Sequence, residues 1–284
     1  MVAQIDVRPS PIAGKWYPAN AQLLARQVDE YINAASVTPP DAAVVAVVAP
    51  HAGHIYSGPV AGYAFAALRG LAPALVAVVS PMHHYYAQEL LTTAHQAYAT
   101  PLGQVMVDGK AQQQLSECLK QKLGYGLSYV KNDPEHSLEI ELPFLQRVFP
   151  GGFQLLPVML RDQSPQVTRA LGQALAETLA GTNALLVAST DLSHFYTQAE
   201  ARQLDAEMLA QIEAFDPDGV LKAEQDGRGF ACGHGAVAAV LWAAKDLGAD
   251  EVKILHYATS GDVSGDYEQV VGYGAAIVTR KRTG

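Results

Sequence analysis

Three observations predict an α/β protein with a layered central sheet flanked by helices on both faces. Short runs rich in Val and Ile recur at Val44–Ala49, Leu75–Ser80, Phe153–Leu160, Ala184–Thr190, Val252–Tyr257 and Val270–Thr279. Most are nearly continuous in apolar residues, the pattern of strands buried on both faces. Helical periodicity fills the intervals between them, and this alternation is the signature of a layered α/β sheet.

The elements follow in order. Asn20 is placed to cap a helix carrying Leu23, Leu24, Val28, Tyr31 and Ile32 on one face. Thr38-Pro39-Pro40 is the strongest breaker, and it separates that helix from the first core strand. Residues 110–123, 138–149, 165–180 and 235–247 read as further helices, with Pro143 near the start of the second, where proline is tolerated. Thr197 and Glu200 form a capping box ahead of Leu204, Met208, Leu209 and Ile212. The final Val270–Thr279 run is longer and contains glycine, so its limits are less sharply marked. Without an internal repeat or a low-complexity linker, residues 1–284 read as a single domain.

Of the 284 residues, 49% are hydrophobic and 17% charged, enough apolar material for a large core. A formal net charge of −9 and a pI near 5.4 argue against a general nucleic-acid binder. The only cluster of basic residues, Arg280-Lys281-Arg282, reads as a solvated tail. The N-terminal stretch lacks the charged-then-apolar pattern of a signal peptide, and no apolar run is long enough to span a bilayer. Two cysteines, Cys118 and Cys232, do not make a disulfide framework, so a reducing, cytoplasmic setting is expected.

Chemistry collects where three of the strands end. Val44–Ala49 runs into Pro50-His51-Ala52-Gly53-His54, Leu75–Ser80 into Pro81-Met82-His83-His84, and Ala184–Thr190 into Asp191-Leu192-Ser193-His194. Ligand crevices of open α/β sheets lie beyond the carboxyl ends of the strands. Parallel strands would therefore bring His51, His83 and His194 to one edge. A lone histidine after a strand is more often structural, but three at equivalent positions point to a metal site. Two imidazoles need a further, preferably anionic donor, for which Asp191 and Cys232 are the candidates. Cys232 lies in Gly229-Phe230-Ala231-Cys232-Gly233-His234-Gly235 ahead of a helical stretch, a setting that favours thiolate or equally a tight packed turn. Asp191 is either one half of an acid/base pair with His194 or a turn residue.

Other features carry less. A Ser-His-Asp hydrolase using Ser189 or Ser193 lacks the G-x-S-x-G elbow. Glu135-His136-Ser137-Leu138-Glu139 either aims His136 into the crevice or starts a helix capped by Ser137 or Asp133. Gly261-Asp262-Val263-Ser264-Gly265-Asp266 lacks calcium-loop spacing, and neither a Walker A nor a dinucleotide fingerprint is present. Cys118, His95 and His256 read as structural.

Taken together, several of these stretches resemble the Memo family, also called AmmeMemoRadiSam system protein B. They are Arg8-Pro9 through Gly14-Lys15-Trp16-Tyr17-Pro18, Pro50 through Gly58, and Ser80-Pro81-Met82-His83-His84. Further matches are Glu135 through Glu139 with Leu142-Pro143-Phe144, Asp191-Leu192-Ser193-His194, Cys232-Gly233, and Tyr257 through Ser260-Gly261-Asp262. That family resembles class III extradiol dioxygenases in fold, with a cysteine where those enzymes carry a glutamate ligand. The resemblance implies His51, His83 and Cys232 as metal ligands, His194 in the acid/base position with Asp191 nearby, and His136 on the substrate side; His54 and Tyr56 are expected to shape the substrate pocket with His136. His54 stands where the family usually has Tyr and Met82 where it usually has Ser. The segment Gly233-His234-Gly235 also varies the family's usual loop.

A thiolate ligand favours Fe(II), Cu or Zn over Mg or Mn, and it is oxidisable. The resemblance implies Fe(II) first, copper as the alternative and zinc as a further candidate, with a functional link to a radical SAM protein. The leading expectation is a metal-dependent redox protein of dioxygenase-like class acting on a small molecule or peptide. The alternatives are a non-catalytic module binding a peptide or phospho-ligand in the same pocket, and a zinc-type hydrolase. No nucleic-acid or membrane partner is expected.

Overall fold

A computed structural model describes residues 5–38 and 40–281. Pro39 of the expected breaker and Arg282 of the basic tail lie outside the described residues. The elements are β1 (Val7–Arg8), α1 (Ala21–Ala34), β2 (Ala43–Ala49), α2 (His54–Ala66), β3 (Leu75–Pro81), β4 (Leu90–Thr93), β5 (Ala97–Thr100) and β6 (Gly103–Met106). Then come α3 (Gly109–Leu123), β7 (Ser128–Val130), one 3-10 turn (Glu139–Glu141), α4 (Leu142–Val148), β8 (Gln154–Leu160), α5 (Pro165–Leu179), β9 (Ala184–Ser189) and β10 (His194–Tyr196). The chain continues through α6 (Gln198–Glu213), α7 (Pro217–Gln225), α8 (His234–Asp246), β11 (Glu251–Thr259), α9 (Gly261–Ser264) and β12 (Val270–Arg280).

All six expected strands are present within a residue or two of their predicted ends. The main sheet runs β10-β12-β2-β9-β3-β8-β4-β7, with β11 also paired to β12. Its centre, β2-β9-β3-β8, is parallel, and β12 and β4 are antiparallel to their neighbours β2 and β8. A separate three-stranded sheet, β1-β5-β6, holds the N-terminal segment against the middle of the chain.

Alternation along the central strands explains their continuous hydrophobicity. Ala46, Val48, Ala77, Val79, Leu156 and Val158 face one core with Leu115 of α3, Leu171 of α5 and Val237 of α8. Val47, Ala49, Val76, Val78, Leu155 and Met159 face the other with Val28 of α1, Phe65 of α2 and Phe144 of α4. Each strand residue therefore meets a helical layer whichever way it points. The Asn20 cap accepts the Leu23 N–H, and the Thr197–Glu200 box closes α6, both as predicted. Among the described residues, no helix is long and apolar enough to cross a membrane.

Helix α2, which carries Gly58, Pro59 and Gly62, was not foreseen. Its glycines are contact sites. A Cβ at Gly58 would sit 2.3 Å from the Tyr31 ring, and one at Gly62 would sit 2.5 Å from the Tyr31 carbonyl oxygen. Small residues here let α1 and α2 approach, and α2 begins at His54, three residues after His51. Gly62→Ala should lower stability by about 1–3 kcal/mol through this backbone clash. Gly109→Ala, where a Cβ meets nothing within 4 Å, should be neutral or stabilising by up to about 1 kcal/mol. Urea unfolding of both variants measures the difference.

Candidate metal centre

Because β2, β9 and β3 are adjacent and parallel, the residues after them share one edge. His51 is 1% exposed. Its backbone N–H donates to Asp191 Oδ1 at 2.7 Å, and its Nδ1 lies 2.9 Å from Ser189 Oγ. The opposite ring nitrogen, Nε2, is 3.1 Å from Cys232 Sγ. His83, at the open side, donates its backbone N–H to Glu135 Oε2 at 2.6 Å and has Nδ1 2.9 Å from Glu135 Oε1. His136 lies between Trp16 (4.0 Å between ring centroids) and His83 (4.7 Å). One ring nitrogen from each of His51, His83 and His136 falls within 4.8 Å of the others.

Cys232 arrives from the other side of the sheet edge, in the turn before α8. Its Sγ accepts the Asp191 N–H at 3.3 Å, while its own N–H bonds the Asp191 carbonyl at 3.2 Å. Gly233 must be small here, since a Cβ would lie 2.4 Å from the Ser189 carbonyl oxygen. His194 donates Nδ1–H to the Leu192 carbonyl at 2.8 Å, which leaves Nε2 as an acceptor. With Cys232 it lines a cavity of about 320 Å³ whose other walls include Tyr196, Phe230 and His234.

Burial sets the charge states. It pushes His51 well below its ordinary value, with His136 and His83 adding to the effect. His136 falls to about 4, again mainly by burial, and burial also lowers His194. These three imidazoles are neutral near pH 7, the ligating form. Burial raises the Cys232 thiol well above its usual range, and the nearby Asp191 adds to this. A bound cation would reverse that preference, since metal coordination deprotonates a thiol. Asp191 rises to about 7 through burial, opposed by the N–H groups of His51 and Ala52. Burial alone would raise Glu135, but His83, His136 and the Ser137 N–H hold it well below the usual carboxylate range.

The structure thus brings together His51, His83, His136, Cys232, Asp191 and His194. It does not bring in His54. That ring is 1% exposed and packs on Phe144 and Tyr17. Its Nε2–H donates to the Ile140 carbonyl at 3.0 Å, so the side chain joins the core under α4 rather than the crevice. Tyr56, one turn into α2, is 42% exposed. Ser189 is fully buried between His51, Glu141 and the Ser137 carbonyl, which leaves no approach for a nucleophile. His95 bridges Asp6 and the Asn132 N–H, His256 stacks on Tyr63, and Asp262 accepts the Thr259 N–H.

Glu135 and Arg8 went unrecognised in the sequence. Neither Ser137 nor Asp133 caps the turn with its side chain. Glu135 Oε1 instead accepts the N–H groups of His136 and Ser137, while Asp133 pairs with Arg8. The Arg8 guanidinium, 1% exposed, donates to both Asp133 carboxylate oxygens, to the backbone carbonyls of Asp133 and Glu135, and to Glu139. It holds the whole His136 segment. Proximity to His136 was the one local signal for Glu135. Arg8 had none, being 125 residues from Asp133.

A doubly covered α/β sheet with an imidazole cluster at its strand ends defines the class of fold and site. A sequence model of the Memo family, described as Memo-like protein, matches residues 8–277. A MEMO1 family protein of Nitrosopumilus maritimus is 33% identical, covering 95% of this chain and 98% of its own. Another from Methanopyrus kandleri is 35% identical (96% and 99% covered), and one from Thermotoga neapolitana 36% identical (96% and 100%). This chain belongs to the Memo family. The crystal structure of an uncharacterized protein, JW3007, from Escherichia coli K12 has the same fold. Its TM-score is 0.51 at 15% identity, covering 82% of this chain and 99% of that one.

Arg8→Ala would strand buried Asp133 and Glu139 without their counter-charge. It should cost about 3–5 kcal/mol in urea unfolding, and Arg8→Lys, lacking the planar fork, should recover only part. A second outcome concerns acid. Burial lowers His54 to about 4, below its unfolded value, so the unfolded chain binds the extra proton first. Its contribution to stability is complete above about pH 6.5 and is lost as pH falls towards 4, to a total of about 3 kcal/mol. His54→Phe should flatten that part of a stability–pH curve measured by urea titration.

Proposed function

We propose that this chain is a metal-dependent redox protein in which His51, His83 and Cys232 hold a single ion. The observation that supports this reading is the 3.1 Å approach of His51 Nε2 to Cys232 Sγ; separately, one ring nitrogen from each of His51, His83 and His136 lies within 4.8 Å of the others. The donor chemistry fits a borderline or soft cation. Two imidazoles and one thiolate can hold Fe(II), copper or zinc, and the family resemblance puts Fe(II) first and copper second. When bound, Fe(II) or copper would supply a redox-active Lewis acid.

The remaining groups have roles the chain itself can perform. Glu135, through Nδ1, fixes the ring of His83, the usual support of a ligating histidine. His194, with Nε2 free, moves a proton at the mouth of the 320 Å³ cavity. Asp191, at about 7, holds the His51 backbone and lies 4.0 Å from its Nε2, where it can share that proton traffic. His136 and the exposed Tyr56 flank the open side, where a small organic substrate would enter.

Protein purified without oxygen should carry about one equivalent of iron or copper by elemental analysis. His51→Ala and Cys232→Ala should each lose it. Retention of the same metal by both variants would overturn the ligand set. Zinc as the native metal, with hydrolytic turnover in its strict anaerobic presence, would replace the redox reading with a hydrolytic one.

A further inference from the structure

Ser189 Oγ is the hub of three short contacts: 2.7 Å to the Ser137 carbonyl oxygen, 2.7 Å to Glu141 Oε1 and 2.9 Å to His51 Nδ1. Each needs one hydrogen between its atoms, because two oxygens at 2.7 Å without a proton repel. The Ser137 carbonyl supplies none, and the serine hydroxyl supplies one. All three contacts are satisfied only if Ser189 donates to Ser137, His51 donates from Nδ1, and Glu141 contributes a proton of its own. The surroundings agree with this count. Glu141 is fully buried, and its Oε2 has no hydrogen-bond partner among the described residues, a heavy cost for a carboxylate but a modest one for the carbonyl of a neutral acid. Burial foremost, and then Asp191, raise this carboxyl far above its ordinary value, against the opposing Ser189 contact.

We propose that Glu141 and Ser189 are positioning residues for His51. Glu141, kept as a neutral carboxylic acid, donates to Ser189, whose own proton is committed to the Ser137 carbonyl. Its remaining lone pair takes the His51 Nδ1–H. The imidazole is thereby locked in one tautomer and one ring orientation, with the Nε2 lone pair turned towards Cys232. This chain also ties the 3-10 turn that follows His136 to the end of β9, so the two halves of the candidate centre move as one piece. The inference rests on the ligand reading only for its purpose. The hydrogen-bond assignment itself concerns residues that need no metal.

Two measurements on the full-length, metal-free protein test it. In a protein labelled with 15N-histidine, long-range 1H–15N correlation spectra, assigned against His51→Ala, should show His51 protonated at Nδ1 and bare at Nε2. Ser189→Ala should abolish that single state and give a tautomer mixture. Infrared spectra at pH 8 should show a protonated-carboxyl C=O band above the amide I envelope that is missing from Glu141→Gln. A wild-type His51 protonated at Nε2, or no such band assignable to Glu141, would overturn the proposal whatever the variants do. Added Co(II) gives a separate readout, and Ser189→Ala should weaken its binding about ten- to a hundred-fold. Co(II) binding that ignores Ser189→Ala, with the tautomer as stated, would count against His51 as a ligand and leave the Glu141–Ser189 assignment standing.

Discussion

A guanidinium buried under the sheet edge fixes the segment from Asn132 to Glu141, and the candidate centre hangs on that segment. Taking a cation out of water costs several kcal/mol unless every donor is met. Arg8 meets the condition with two carboxylates and two backbone carbonyls. The acceptors come from one irregular stretch that has no ladder of its own to hold it. Ser10 and Tyr17 add hydrogen bonds to Glu139 from the same N-terminal arm. The arm is anchored in turn by pairing of β1 with β5.

From this clamp the order propagates outward through carboxyl groups in different charge states. Glu135 is ionised and gathers His83 and the backbone N–H groups of His136 and Ser137. Asp191 gathers the backbone of His51 and Ala52, and it hovers near neutrality because burial opposes its charge. Asp205 steadies the following loop by accepting the Ser193 N–H and the Tyr257 hydroxyl. Burial keeps the His51, His136 and His194 imidazoles uncharged. Negative charge is thus kept in the supporting layer, where it orients rings, and away from the nitrogens that face the centre.

The layered sheet was legible because its central strands are buried on both faces and therefore spell themselves as nearly continuous Val, Leu and Ala. The strand-end histidines were legible for the same reason: a parallel sheet turns equal sequence positions into neighbours in space. Choosing Cys232 over Asp191 was beyond spacing alone and came from family resemblance. Helix α2 was hidden because Gly58 and Gly62 serve Tyr31, a residue on another helix. His54 was expected at the pocket because it stands where the family usually has Tyr after His-Ala-Gly, and local sequence does not reveal which way a helix N-terminus turns its first side chain. Arg8 and Glu135 were opaque because their partners are set by tertiary geometry, which leaves no periodic trace.

The reach of Arg8 has a further consequence for how the molecule comes together. Ribosomal synthesis delivers the arginine more than a hundred residues before Asp133 and Glu139. Until those carboxylates emerge the guanidinium must stay in water, and β1 has little reason to dock. Trp16, which stacks on His136 and accepts the His54 N–H through its carbonyl, waits with it. The segment from Arg8 to Trp16 therefore settles only after residues 132–141 have been made, and it then packs against His136. Docking of this wall of the pocket thus depends on a segment made more than a hundred residues later.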